Sequence, residues 1–162
     1  MDLRTLYEYW DAKRGTRPMP ARGDLDPVDF PRLLPNISLV DVGCDPLRLT
    51  YRLVGTNEVN KLGYDPTGKE VGEHFFGSSS HEVIETFRQV IDGRAAVYRN
   101  EPVEDPTDWQ VQSERLYLPL SDDGHSVNMV MVYVVWRTPT TRHDLTPRST
   151  AARKPALTGT RS

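Results

Sequence analysis

The chain has 162 residues, 37% of them apolar, which suffices for one hydrophobic core and one domain. It carries a single cysteine, Cys44, which excludes a scaffold held by internal disulfides, and a net charge of -3 at pH 7, which does not favour nucleic-acid binding. The N-terminus lacks the apolar core of a signal peptide, and no apolar run approaches the roughly 20 residues of a membrane span. We therefore expect a cytoplasmic protein.

The first predicted element is a short amphipathic helix at the N-terminus. Leu3, Leu6, Tyr7 and Trp10 recur at the spacing i, i+3, i+4, i+7, which places them on one helix face. Gly15 follows where such a helix could end. The pattern predicts a helix with one apolar side and one charged side.

The next segment favours a short turn and then a β-hairpin. Asp26-Pro27 has the composition of an N-cap and a first helical position. Two strand-like segments, Ile37–Val42 and Leu47–Val54, follow with turn residues between them, which is typical of a hairpin. Residues 56–62 could then form one or two helical turns.

A longer helix is predicted after residue 78. Ser79 and Glu82 fit the capping box that begins a helix, and apolar residues then repeat at helical spacing up to Gly93, the predicted C-cap. Three further strands complete the order of elements: Ala95–Val103, Val111–Leu120 and Val127–Arg137.

This order predicts an α+β domain over residues 1–137, with a five-stranded antiparallel sheet, short helices on one face and the N-terminal amphipathic helix. Both faces of the last strand are apolar, so both need cover. The mid-chain helices can cover one face, and the N-terminal helix or a second subunit must cover the other. Residues 138–162 carry five basic residues against one acidic residue and no apolar period, which predicts a disordered basic tail.

Several kinds of site can be tested by spacing alone. The stretch from Gly63 to Glu70, GYDPTGKE, matches seven of the eight positions of a phosphate-binding loop, but Glu70 stands where the magnesium-binding Ser or Thr is needed. Pro66 also removes one backbone N–H from the loop. A tight turn is the better interpretation. The four histidines lack metal-binding spacing, so no metal site is predicted.

The aromatic and methionine side chains leave two interpretations open. They can form a plain core, or some of them can line a cavity between the sheet and the helices for a small apolar or aromatic ligand. The residues with mixed aromatic and polar character on the enclosing elements are the predicted ligand-binding set: Tyr51, Leu53, Asn57, Phe87, Tyr98, Tyr117 and Met131. A small pocketed α+β enzyme that uses a carboxylate or a Tyr for acid–base chemistry is the alternative, and it requires a titratable group with a shifted pKa in the pocket.

The segment NEVNKLGYDPTGKEV, Asn57 to Val71, resembles the part of PAS domains in which a short helix ends in a Gly-Tyr pair before a turn. Further stretches resemble short stand-alone bacterial PAS-like proteins over residues 3–137: LYEYW from Leu6, PAR from Pro20, the Asp26-Pro27 pair, LLPNI from Leu33 and YRLVGT from Tyr51.

This resemblance implies a non-enzymatic sensory module that binds a small ligand or a partner protein and passes on a conformational change. It also implies a homodimer formed through the N-terminal helix and the outer sheet face, with the interface set Leu3, Leu6, Tyr7, Trp10, Val132, Val134 and Trp136. Because no output domain is recognised, we expect a separate signalling partner protein. The cysteine of light-sensing relatives is missing from the mid-domain helices, so a flavin photosensor is not expected; the cofactor, if there is one, is unknown.

Overall fold

The computed structural model describes residues 2–74, 79–104 and 110–137, and the predicted tail at 138–162 lies outside them. The described elements, in chain order, are α1 Leu3–Arg14, β1 Ile37–Gly43, β2 Arg48–Leu53, α2 Thr56–Leu62, α3 Ser80–Gly93, β3 Val97–Glu104, β4 Gln110–Leu120 and β5 Met129–Arg137. Short 3₁₀ turns lie at Arg22–Asp24, Pro27–Asp29, Leu34–Asn36 and Val71–Glu73. The predicted helices and strands are confirmed, with ends displaced by up to two residues.

The five strands form one antiparallel sheet in the order β2-β1-β5-β4-β3. The chain builds a hairpin at each end and joins them by pairing β1 with β5, which places β5 at the centre. Both faces of β5 are apolar because a central strand between two layers has no side exposed to solvent. The predicted α+β fold with a five-stranded antiparallel sheet is confirmed.

We call the sheet side that faces α2 and α3 the inner face. Phe87 of α3 makes an edge-to-face contact with Tyr117 of β4, with ring centroids 5.4 Å apart, and Tyr117 pairs with Val132 of β5. From α2, Glu58 accepts a hydrogen bond from the indole Nε1 of Trp136 at the end of β5 (2.6 Å). The inner face of β5 therefore consists of Val130, Val132, Val134 and Trp136.

The opposite side is the outer face, and α1 covers part of it. Leu6 and Trp10 of α1 are almost fully buried, and the Trp10 indole donates to the carbonyl oxygen of Pro119 in β4 (2.9 Å). The 3₁₀ turns between α1 and β1 lie over a further part of it. The N-terminal helix thus belongs to the core of its own domain, one of the two arrangements that the apolar pattern of β5 allows.

A β-bulge in the first hairpin changes the faces of β2. Leu39 pairs with Leu53 while its neighbour Val40 pairs with Tyr51, so Arg52 is an extra residue between the two pairs. An extra residue in one strand reverses the side on which the following residues point. Tyr51 consequently lies on the inner face and Leu53 on the outer face, although both belong to the predicted ligand-binding set.

The ends of α3 and α2 show two correct predictions of capping and one wrong one. The Ser79 hydroxyl accepts from the Glu82 N–H and the Glu82 carboxylate accepts from the Ser79 N–H, which is the predicted capping box. Gly93 is not the C-cap, because the left-handed residue that ends α3 is Arg94, with φ of 48°. Gly63, with φ of 81°, ends α2 as predicted.

Candidate functional site

A cavity of about 460 Å³ opens on the outer face, between the sheet and the segment 22–36. Its floor consists of sheet side chains, Ile37, Leu39, Leu53 and Met131. Its walls come from the 3₁₀ turns and the start of α2, namely Leu25, Pro27, Phe30, Pro31, Leu34, Pro35, Val54 and Gly55, with Arg22 and Thr56 as the polar members. This volume and this apolar lining are typical of a site for one small organic molecule.

The proline-rich segment stands off the sheet because its own hydrogen bonds and α1 hold it there. Asp26 accepts from the Val28 N–H and begins the Pro27 turn, as the sequence predicts. The Tyr9 hydroxyl of α1 donates to Asp29 (2.7 Å) and accepts from the Asp26 N–H (3.0 Å). These bonds fix the turns as a wall, so the cavity does not depend on a flexible loop.

Gly55 closes one end of the cavity by a backbone contact. A Cβ at this position would lie 2.4 Å from the Pro35 carbonyl oxygen and 2.8 Å from that of Ile37. Such distances exclude any side chain unless the backbone moves. Glycine at position 55 therefore lets the start of α2 approach the segment 35–37 and seal the junction between them.

The inner face carries a second group of chemically distinctive residues, which we call the inner cluster: Glu58, Lys61, Arg115 and Trp136. Arg115 is 2% exposed, and its guanidinium lies 5.4 Å from the centre of the Trp136 ring. The Lys61 ammonium lies 5.2 Å from the same ring. Burial raises the pKa of Glu58, against the lowering effects of the Trp136 hydrogen bond and the Arg115 charge.

The inner cluster makes the stability of the domain depend on pH. In the unfolded chain the Glu58 carboxyl titrates near its ordinary pKa of 4.5, and in the folded domain its pKa is higher. Just above pH 4.5 the folded state therefore binds more protons than the unfolded state, so the free energy of unfolding falls as pH rises. Glu58→Gln removes this titration and keeps an oxygen for Trp136. We expect the free energy of unfolding of the wild type, relative to Glu58→Gln, to fall as pH rises from about 4 to about 7.

Urea unfolding of both proteins across this pH range measures the difference. Every other titrating group is common to the two proteins, so the contribution of these groups cancels when one stability curve is subtracted from the other. A difference that stays constant, or that grows in favour of the wild type as pH rises, would show that the Glu58 carboxyl is not buried in the way described.

The predicted ligand-binding residues do not share one space, which corrects that expectation. Tyr51, Phe87 and Tyr117 are buried on the inner face, while Leu53 and Met131 line the outer cavity. Asn57 donates to the Asn36 side chain (2.7 Å) outside both sets, and Tyr98 is 51% exposed and donates to Glu114. The bulge in β2 and the apolar character of both faces of β5 explain the division, since alternation alone does not say which face is inner.

The predicted interface residues are divided in the same way. Leu6 and Trp10 are buried against the outer face, whereas Val132 and Val134 are buried on the inner face and Trp136 belongs to the inner cluster. Leu3 packs at the edge of the core, and Tyr7 is 40% exposed. These seven residues cannot form one continuous surface, because they lie on opposite sides of the sheet.

Other sequence features have structural explanations. Gly68, with φ of 86°, donates its N–H to the Tyr51 carbonyl oxygen, so the phosphate-loop look-alike is a turn that packs beside β2. Among residues 2–74, 79–104 and 110–137, no group of three His, Cys, Asp or Glu side chains could hold a metal ion. Within the same residues no helix has the length and apolar character to cross a membrane.

Sequence reasoning missed Arg22, Leu25, Phe30 and Leu39 of the cavity, and Glu58 and Arg115 of the inner cluster. The cavity wall lacks any periodic pattern, so only its prolines signalled a rigid segment. Arg115 lies in β4 at a position that faces the inner side of the sheet. A charged residue on the apolar side of a strand was the signal that could have found it.

Comparison with known proteins gives a family and remote structural neighbours. The PAS domain family model matches residues 1–134. A Rhodobacter sphaeroides LOV protein is similar at 12% identity, over 67% of this chain and 63% of its own length, with a TM-score of 0.47. A fungal LOV domain photoreceptor is similar at 16% identity, over 83% of this chain and 91% of its own, with a TM-score of 0.45.

The alignment leaves more than a third of the Rhodobacter chain uncovered. No curated protein sequence matches the chain. The family match, by contrast, extends from α1 through most of β5 and covers both layers on the sheet. The chain therefore belongs to the PAS domain family.

Proposed function

We propose that this PAS domain is a non-enzymatic sensory module that binds a small apolar or aromatic ligand in the cavity on the outer face of its sheet. PAS domains are in general sensory domains, and the observation that carries the proposal is the apolar cavity of about 460 Å³, whose wall is held by the hydrogen bonds of Tyr9 and Asp26. Two residues of the predicted ligand set, Leu53 and Met131, lie in its floor.

The lining chemistry favours binding over catalysis. Among the described residues that line the cavity, only Arg22 is charged and only Thr56 carries a hydroxyl. A guanidinium stays protonated at neutral pH and cannot serve as a general base. The alternative of a pocketed enzyme needs a titratable group with a shifted pKa inside the pocket. The pKa of Glu58 is shifted, but its carboxylate accepts a hydrogen bond from Trp136 on the other side of the sheet.

A contiguous set of contacts supports the signalling part of the proposal. Gly55 and Thr56 border the cavity and begin α2. Two residues further on, Glu58 bonds Trp136 near the end of β5, directly before residues 138–162. We propose that a ligand which shifts the start of α2 changes this contact, and that a separate partner protein in a bacterial cytoplasm recognises the change. The exposed single thiol, Cys44, suits such a reducing compartment.

Filling the cavity tests the binding site. Leu53 lies in the cavity floor and is 47% exposed, so the larger side chain of Leu53→Trp can occupy the space with little strain. N-phenyl-1-naphthylamine, a neutral apolar fluorophore, should bind the wild type with saturable enhancement and bind Leu53→Trp at least about tenfold more weakly, a loss of about 1.4 kcal/mol.

Tyr98→Trp is the matched control, because Tyr98 is also about half exposed on the outer face but lies at the opposite edge of the sheet. Its affinity for the fluorophore should equal that of the wild type. Absence of saturable binding to the wild type, or equal weakening in both variants, would show that the cavity is not the ligand site.

A further inference from the structure

Arg22 is the one charged residue of the described cavity lining, and its positive charge has no counter-ion there. Its Nη1 donates to the Leu25 carbonyl oxygen (3.0 Å), which is neutral. No described carboxylate lies within ion-pair distance of it. The nearest acidic residue in sequence, Asp24, pairs with Arg17 (2.9 Å) and accepts from the Ala21 N–H.

The half-buried guanidinium of Arg22, beside the apolar cavity, uses only part of its hydrogen-bonding capacity. Arginine has five N–H donors in a planar fork, and one of those of Arg22 is used by Leu25. The fork matches a carboxylate, and charge-assisted hydrogen bonds are about twice as strong as neutral ones. A ligand with one anionic end would therefore meet a charged donor in Arg22, the one charged side chain among the described lining residues.

The remaining lining defines the other end of the ligand. Apart from the ring of Phe30, the thioether of Met131 and the hydroxyl of Thr56, the described lining presents aliphatic side chains and proline rings. Leu53 and Leu34 are 47% and 38% exposed at its mouth, so they would be shielded from water by an occupant that extends along the opening. An aliphatic chain gains binding free energy with each CH₂ that it buries, and it needs no second polar partner.

From this geometry we propose that the ligand is an aliphatic monocarboxylate, with its chain in the apolar cavity and its carboxylate on Arg22. This inference rests on the proposed function, because it assumes that the outer cavity binds a small molecule. It adds the chemical class of that molecule and the residue that selects it. The arginine fork takes the charged end, and the cavity volume of about 460 Å³ limits the chain.

Three probes of equal chain length test the class on the full chain: decanoate, 1-decanol and decyltrimethylammonium. Titrations followed by ¹H–¹⁵N NMR give the affinity and, through the amides of Leu39, Leu53 and Gly55, the location. The wild type should bind decanoate at least about tenfold more tightly than decanol, as one charge-assisted pair predicts. Decyltrimethylammonium should bind most weakly, because Arg22 repels it.

Arg22→Gln should bind decanoate at least about tenfold more weakly and decanol as the wild type does, so that its preference for the acid disappears. Retained decanol binding also shows that the variant is folded. Arg32→Gln removes the same charge from an exposed position of the same segment, outside the cavity lining. It should keep the full preference for decanoate.

The outcomes separate this inference from the proposed function. Equal affinity of the wild type for decanoate and decanol, with shifts at Leu39 and Gly55, would overturn the carboxylate class and leave the cavity as an apolar site. Equal loss of preference in Arg22→Gln and Arg32→Gln would overturn the role of Arg22. Absence of binding by both decanoate and decanol would overturn the inference, and N-phenyl-1-naphthylamine binding then decides separately whether the cavity binds ligands at all.

Discussion

Phe87→Ala is expected to lower the free energy of unfolding by about 3–5 kcal/mol. Phe87 is 1% exposed and lies between α3 and the inner face, with its ring edge-to-face on Tyr117. Removing the ring loses its buried apolar surface and leaves a cavity that the rigid sheet cannot fill by collapse. Urea unfolding measures the loss.

Two further variants show that the effect belongs to the packed ring. Phe87→Leu keeps most of the volume and should cost less than Phe87→Ala. Asp92→Ala, at an exposed position of the same helix, should change stability by no more than about 0.5 kcal/mol. If Phe87→Ala cost no more than the change at Asp92, the inner face would not be packed as described.

Trp10→Ala is expected to cost a similar amount, about 3–5 kcal/mol, at every protein concentration. Trp10 is 3% exposed, packs on the outer face and donates to the Pro119 carbonyl oxygen. If α1 were instead the core of a dimer interface, the wild type would gain stability with increasing protein concentration, and the variant would lose that dependence. Unfolding curves over a wide concentration range distinguish the two.

Trp10→Phe isolates the hydrogen bond, because it keeps an aromatic ring and leaves the Pro119 oxygen without its donor. It should cost about 1–3 kcal/mol. Glu8→Ala, which only removes an exposed pair with Arg4, should cost less than about 1 kcal/mol. A loss for Trp10→Ala that appears only at high protein concentration would assign α1 to an intermolecular contact.

Local sequence chemistry predicted much of the fold because most of the local signals agreed with the tertiary structure. The spacing of Leu6 and Trp10 placed both on the buried side of α1, and the Ser79–Glu82 box began α3 where expected. The turn residues between the first two predicted strands gave the first hairpin. The pairing of β1 with β5, which places β5 at the centre, was not predicted from the sequence and is seen only in the structure.

The site was less predictable because it depends on which residues of each strand point to the inner face and which point to the outer face. Tyr51 and Leu53 alternate in the sequence as residues of one face do, and only the pairing of Leu39 and Val40 reveals the bulge that separates them. Met131 and Val132 are both apolar, so their alternation is compatible with either face. The wall of the cavity is irregular chain, whose position depends on tertiary contacts such as Tyr9 with Asp29.

Intermolecular NOEs between bound decanoate and the protein methyl groups test the central claim most directly, since they report which side of the sheet the ligand contacts. The outer cavity predicts NOEs from the decanoate chain to the methyl groups of Leu39, Leu53 and Met131. The inner-face methyl groups of Val90 and Val132, which are buried on the other side of the sheet, should show none. NOEs to Val90 or Val132 without any to Leu39 and Met131 would place the ligand between the sheet and α3, and would contradict the assignment of the outer cavity.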